Sequence, residues 1–187
     1  ANPSSNGATS GTASASSLTS TTSIELLVQG STANCSNALA YIDNVSITAD
    51  CPASYSGTYD VGPTGTWATL TSAITALNSC MTDDVVLELE STYSEASETY
   101  PLDFSGLPTT STETLIIRPK TATSVTFDDA QTTTLLDFNT TDYVTIDGRP
   151  GGAGATSYFT FENTSTASGG NVIEFTNDAT NNTIQYC

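Results

Sequence analysis

From Val85 onward the sequence repeats one kind of phrase: a short run with apolar residues at alternate positions, a polar turn rich in Asn, Asp, Gly and Thr, and another such run. The runs are VVLELE (85–90), TLIIRP (114–119), SVTFDD (124–129), TLLDF (134–138), YVTIDG (143–148), SYFTFEN (157–163), NVIEFTN (171–177) and NTIQYC (182–187). The alternation is explicit in Val125 and Phe127, Val144 and Ile146, Phe159 and Phe161, Ile173 and Phe175, and Ile184 and Tyr186. In an extended chain successive side chains point to opposite faces, so each run reads as a β-strand that buries one face. Strands this short can be buried in a twin-sheet sandwich, or in a solenoid where every inward side chain covers its equivalent one coil away. No Asn-Gly or Gly-Gly sits tightly between two of the late strands, and the N-x-[ND] corners suit bends better than hairpins. Stacked coils are therefore the preferred arrangement. Thr is the dominant residue, 36 in 187, and its branched Cβ favours extended backbone while its hydroxyl stays wet.

The chain before this region is organised differently. Residues 1–22 carry only Leu18 as a large aliphatic side chain and read as a flexible lead or long loop. Residues 23–29 and 38–47 read as strands, the second with a slip near Asp43 that suits a bulge. Two strands cannot bury a core alone, so residues 23–50 are expected to be the terminal strands of a β-sandwich-like module. A Pro/Ser/Gly joint over 51–57 is the best domain boundary, and residues 58–187 form the coil region. That region opens with an extended piece (58–61) and a turn at Gly62–Gly65. A helix near 67–78 follows, because Leu70, Ala73, Ile74 and Leu77 recur at intervals of a helical face. Thr66 or Thr69 is placed to cap it. One amphipathic helix beside many strands suits a lid over an open end of the stack, with Trp67 on its first turn sealing the core.

Charge restricts the chemistry. Three Lys and Arg face 20 Asp and Glu, with no His, giving a net charge of -17. Such a chain repels nucleic acid and anionic lipid. There is no apolar run long enough for a membrane span and no leader-like start. Cys35, Cys51, Cys80 and Cys187 include no C-x-x-C pair, and without His the usual zinc sets are missing. Cys35 and Cys51 flank the second early strand and are expected to bridge, which in the chain-entropy model contributes about 3 kcal/mol. The cations Arg118, Lys120 and Arg149 read as solvated ends or partners of nearby Asp. Asp128, Asp129, Asp137, Asp142, Asp147 and Asp178 sit where Asp caps turns through its own side chain. No catalytic, cofactor-binding or metal-binding residue is assigned. Calcium is the one metal the pattern admits, through Asp128, Asp129 and Asp142 with backbone carbonyls. Tyr143, Tyr158 and Tyr186 are candidates for a glycan platform, although alternation puts Tyr186 inward with Ile184. Asn44, Asn139, Asn163 and Asn181 stand in N-x-[ST] sequons. Asn177, Asn181 and Asn182 are placed to hydrogen-bond to the equivalent turn of the neighbouring coil.

The succession GTYDVGPTGTWATLTSAITALN, VVLELESTYSE, TLIIRPK, LLDFNTTDYVTIDG and NVIEFTNDATNNTIQYC resembles the opening of a right-handed parallel β-helix found in large secreted surface proteins of Bacteroidota. The resemblance covers about residues 57–187, and ALAYIDNVSITADCP is similar to the last strand of a jelly-roll module. It implies an entry strand and capping helix followed by coils, in an exported multidomain protein that uses type IX secretion. Many members are taken to be adhesins. The expectation is therefore a non-catalytic extracellular surface protein, adhesive or filament-forming. Its partners would be other domains of a longer chain, copies of itself or surface glycans. A stack that stops on a strand exposes unpaired edges, so more of the same chain or another subunit is expected to cover it. The alternative is a carbohydrate-binding or polysaccharide-degrading β-helix module, which would need a long groove lined by aromatics and carboxylates.

Overall fold

The computed structural model describes residues 53–78 and 80–187, which belong to a unit running from Thr48 to Cys187. The readings for 1–22, 23–29 and 38–47, the sandwich-like module and the Cys35–Cys51 bridge lie outside the described residues, as does the start of the 51–57 joint. The elements, in chain order, are β1 (Tyr55–Val61), α1 (Leu70–Leu77), β2 (Met81–Leu89), β3 (Leu102–Asp103), β4 (Leu115–Pro119) and β5 (Val125–Asp129). They continue with β6 (Leu136–Asp137), β7 (Val144–Asp147), β8 (Phe159–Asn163), β9 (Ile173–Glu174) and β10 (Thr183–Gln185). The described residues are all-β in class, with α1 as their one α-helix.

Every strand pairing is parallel. The first sheet has the order β1-β2-β4-β7-β10, the second β3-β6-β9 and the third β5-β8. From β4 the chain visits the first sheet, the third and the second, then repeats the circuit through β7, β8 and β9 and returns at β10. Parallel neighbours cannot be joined by tight hairpins, which is why the sequence lacks them and why the antiparallel sandwich alternative does not hold. Each strand expected from Val85 onward is present, most of them shortened to their paired residues. β1 starts at Tyr55, inside the expected joint, and its register slips between Tyr55 and Gly57, where a φ of 84° suits glycine.

Register places like on like. Leu87, Ile117 and Ile146 align on the first sheet, as do Val85, Leu115 and Val144, and all six are buried. Phe104 stacks on Phe138 with ring centroids 4.5 Å apart, and Phe138 on Phe175 at 4.8 Å. Phe127 and Phe161 form a second stack at 4.8 Å. The void at the centre of this core is about 10 Å³, too small to admit more than a single water.

The helix forms because Thr69, in extended conformation, accepts a hydrogen bond from the Ser72 amide while the Ser72 hydroxyl accepts from the Thr69 amide. Of the two candidate caps, Thr69 is the one used. Leu70, Ala73, Ile74 and Leu77 are buried, and α1 packs against β1 and β3. Trp67 does not lie on the helix. Bonds from the Gly62 amide to the Trp67 carbonyl and from the Thr66 amide to the Asp60 carbonyl hold that segment extended, in a bridge to Val61. The indole is half-buried against Tyr55 and Tyr59, with centroids at 5.3 and 5.2 Å.

Two expectations about orientation fail at the last strands. Tyr186 is 41% exposed rather than inward, because β10 ends at Gln185 and a φ of 53° at Tyr186 breaks the alternation. Phe175 is 48% exposed; only one of its faces is covered, by Phe138.

Candidate interaction surface

The outward side chains of the first sheet line up as the inward ones do. Register sets Asp60 beside Glu88 and Glu88 beside Arg118, and the neighbouring row sets Asp147 beside Gln185. Arg118 donates to Glu88 from Nε at 2.9 Å and Nη2 at 2.7 Å. Lys120 donates to Asp60 at 2.6 Å. Arg149 donates to both oxygens of Asp147 at 2.8 and 2.7 Å, and Gln185 adds a bond to Asp147 at 3.0 Å. The Arg149 guanidinium also lies 4.0 Å from the centroid of the Tyr186 ring. The three cations of the whole sequence are thus consumed on one flank, two of them, Arg118 and Lys120, in bonds between successive passes of the chain. Arg149 and Asp147 pair locally, as the sequence indicates, whereas the partner of Arg118 is a glutamate on the neighbouring strand. The Arg149 guanidinium holds the Asp147 carboxyl below its ordinary range against a smaller opposing effect of burial. Asp60 correspondingly raises the Lys120 ammonium.

Most of the other carboxylates do structural work at turns. Asp103 accepts from the Ser105 amide, Asp137 from Asn139, and Asp147 from Arg149, and Asn163 repeats the device with Ser165. Each closes an Asx turn at a strand end. Asp129 accepts from the Ala130 amide and from Gln131. Asp142 takes both the amide and the hydroxyl of Thr180, 38 residues on. Asp84 does the same to Thr114, 30 residues on, and these bonds lower its pKa. Sequence reasoning passed over this clamp from one pass to the next, although an acid aligned with a threonine one period later was its readable sign. Asp128 and Asp178 are exposed. Asp128, Asp129 and Asp142 are not brought together, and among the described residues no group of His, Cys, Asp or Glu is clustered as a metal site would require.

The asparagines behave as expected in two of three cases. Asn177 donates to Asn139 at 2.8 Å. Asn182 accepts from the Val144 amide and donates to the Thr141 carbonyl, bracing the preceding turn. Asn181 bonds only to Thr180 beside it. Asn163 is likewise engaged, with the carbonyls of Thr133 and Asn171.

A constellation missed in the sequence surrounds the start of α1. Glu98 accepts the Leu70 and Thr71 amides at 2.6 and 2.7 Å, the Thr71 hydroxyl and the Tyr93 hydroxyl. A carboxylate from a distant loop thus satisfies the orphan amides of the helix and complements its positive end. Beside it Tyr100 donates to Glu95. Burial, and behind it the charges of Asp128, Asp129 and Glu98, raises Glu95 above the ordinary glutamate range, an effect the Tyr100 bond only partly offsets. Burial and the adjacent carboxylates push the Tyr93 and Tyr100 phenols up.

A groove of about 270 Å³ runs between α1 and the β3 loop, lined in part by Thr71, Thr75, Asn78, Thr99, Asp103 and Ser105. It contains one carboxylate and no aromatic side chain, unlike the long aromatic and acidic groove that a polysaccharide-degrading module needs. The three tyrosines proposed as a platform are separated: Tyr143 precedes β7, whereas Tyr186 follows β10 at the opposite end of the same sheet, near Tyr158. Cys80 is buried and Cys187 exposed, and neither is in a disulfide. No described helix is long and apolar enough to cross a membrane.

Fold and surface together define an all-β protein of three parallel sheets with an acidic, hydroxyl-rich exterior whose cations are all paired. Comparison of the chain with protein-family models, with curated proteins and with solved structures gives no match.

Proposed function

We propose that the chain is a segment of a non-catalytic extracellular surface protein, adhesive or filament-forming, built as a right-handed parallel β-helix with α1 capping its entry end. The observation that carries the reading is the cyclic visit to three parallel sheets with like residues stacked in register. That construction lengthens by adding turns and presents a long regular flank rather than an enclosed site. Support for the cap comes from the contacts of α1 with β1 and β3, the first strands of their sheets. The paired cations and the turn-bound carboxylates leave the flank without a free base, which favours holding over catalysis. The charge of -17 disfavours nucleic acid and anionic membranes, so the partners are neighbouring domains, further copies or neutral surface glycans. Export by type IX secretion from a member of the Bacteroidota completes the reading.

The test is the native protein from its source, by intact mass and negative-stain imaging, with retention of cells or glycan-coated beads by the immobilised protein as the functional readout. Elongated particles that retain a surface, with no polysaccharide cleavage, are expected. A compact, non-adherent monomer, or release of sugar fragments, would overturn the proposal.

A further inference from the structure

The last pass of the chain repeats the earlier ones with one difference, which is that its core side chains are uncovered. Phe104 and Phe138 are 0% exposed, whereas Phe175, third in the same column, is 48% exposed. The same break recurs around the perimeter. Leu102 and Leu136 are buried and their register partner Ile173 is half-buried. Ile117 and Ile146 are buried and Ile184 is half-buried, and Phe127 is buried while Phe161, stacked on it, is half-buried. β8, β9 and β10 are also the final strands of their three sheets, so three unpaired backbone edges stand on the same side as this apolar face.

Resting on the solenoid reading, we infer that this face docks one further turn of parallel strands in the register the inner turns already use. The occupant is specified by continuity with the turn-to-turn contacts inside the chain. It sets an aromatic ring over Phe175, branched aliphatics over Ile173 and Ile184, and one strand against each of β8, β9 and β10. Its bend carries an amide or hydroxyl at the place where Asn177 meets Asn139 and Thr180 meets Asp142, 38 residues apart in both cases. That spacing also fixes the length of turn the face accepts.

The experiment compares the full chain with a version carrying one added copy of residues 150–187 after Cys187, which places copied Phe175 over Phe175 and copied Ile184 over Ile184. A control extension carries aspartate at both of those copied positions. Amide hydrogen exchange of β8, β9 and β10 is followed at two protein concentrations. In the extended chain these amides are expected to slow by roughly ten-fold or more, with no change in the control. Unchanged exchange in the extended chain would overturn the inference. So would strands already protected in the unextended chain, which would mean that residues 1–52 cover the face if protection is independent of concentration, and a second copy if it grows with concentration. Adhesion of the native protein is read separately, so a failed extension leaves the proposed function standing and a non-adherent protein leaves the docking inference standing.

Discussion

Truncating the middle ring of the phenylalanine column tests whether stacking between successive passes holds the fold together. Phe138 is 0% exposed and has a ring on each side, at 4.5 and 4.8 Å, whereas Phe175 is 48% exposed and has a ring on one side. Phe138→Ala removes a fully buried side chain and leaves a cavity, at about 4 kcal/mol. Phe175→Ala forfeits roughly half the burial and one of two ring contacts, and should cost about 2 kcal/mol. With a urea slope of about 2 kcal/mol per molar for a unit of this size, the midpoints fall by about 2 M and about 1 M. Trp67 is the only tryptophan of the sequence and sits half-buried between Tyr55 and Tyr59, so its fluorescence follows this unit alone. A Phe175→Ala loss equal to or larger than the Phe138→Ala loss would refute the column as a graded, one-sided stack.

Three further outcomes follow from the same geometry. Thr69→Ala should lower stability by about 1 kcal/mol through loss of the cap, and Thr66→Ala by nearly nothing; equal effects in denaturant titration would contradict the assignment of Thr69. The acid limb of stability depends on groups of opposite sign. Asp147 and Asp84 have lowered pKa values, so their contribution is full above the unfolded value of 3.8 and is lost as pH falls through their folded values. Glu95 is raised, so its ionised form opposes folding: Glu95→Gln should stabilise at neutral pH, with the gain fading toward the unfolded value of 4.5. Melting curves from pH 3 to pH 7 read both. A methyl group at Gly148 would overlap the Tyr186 carbonyl, so Gly148→Ala should displace β10 and speed exchange of its amides, while Gly154→Ala, which meets nothing within 4 Å, should leave them unchanged.

The strands from Val85 onward were legible because each buries one face and alternates. Their parallel pairing was legible only indirectly, through missing hairpin signals. β3 was missed because two paired residues, Leu102 and Asp103, are too few to show alternation. The visible clue was the repetition of Leu-Asp-Phe at 102–104 and 136–138, echoed by Ile-Glu-Phe at 173–175. Tyr186 was misplaced because alternation was extended one residue past the end of β10 into a left-handed position. Trp67 was drawn onto the helix because its spacing to Leu70 is helical, whereas the bonds of its backbone to β1 decide its conformation. The clamps of Asp84, Asp142 and Glu98 join residues brought close by the fold alone, and no local pattern marks them.

Electrostatics sets the conditions under which copies of such a stack come together. With every Lys and Arg paired to a carboxylate, the excess charge of -17 has no compensating patch on the described surface, and two flanks repel wherever screening is weak. The Debye length is about 10 Å at 0.1 M salt and about 3 Å at 1 M, so light scattering should report strong repulsion at low salt that fades by about 1 M. Because the described carboxylates are dispersed among turns rather than gathered into a metal cluster, calcium and magnesium should relieve the repulsion equally at the same ionic strength. Association driven by micromolar calcium and not by magnesium would refute that argument, since it would require an oxygen cage selective for the larger ion.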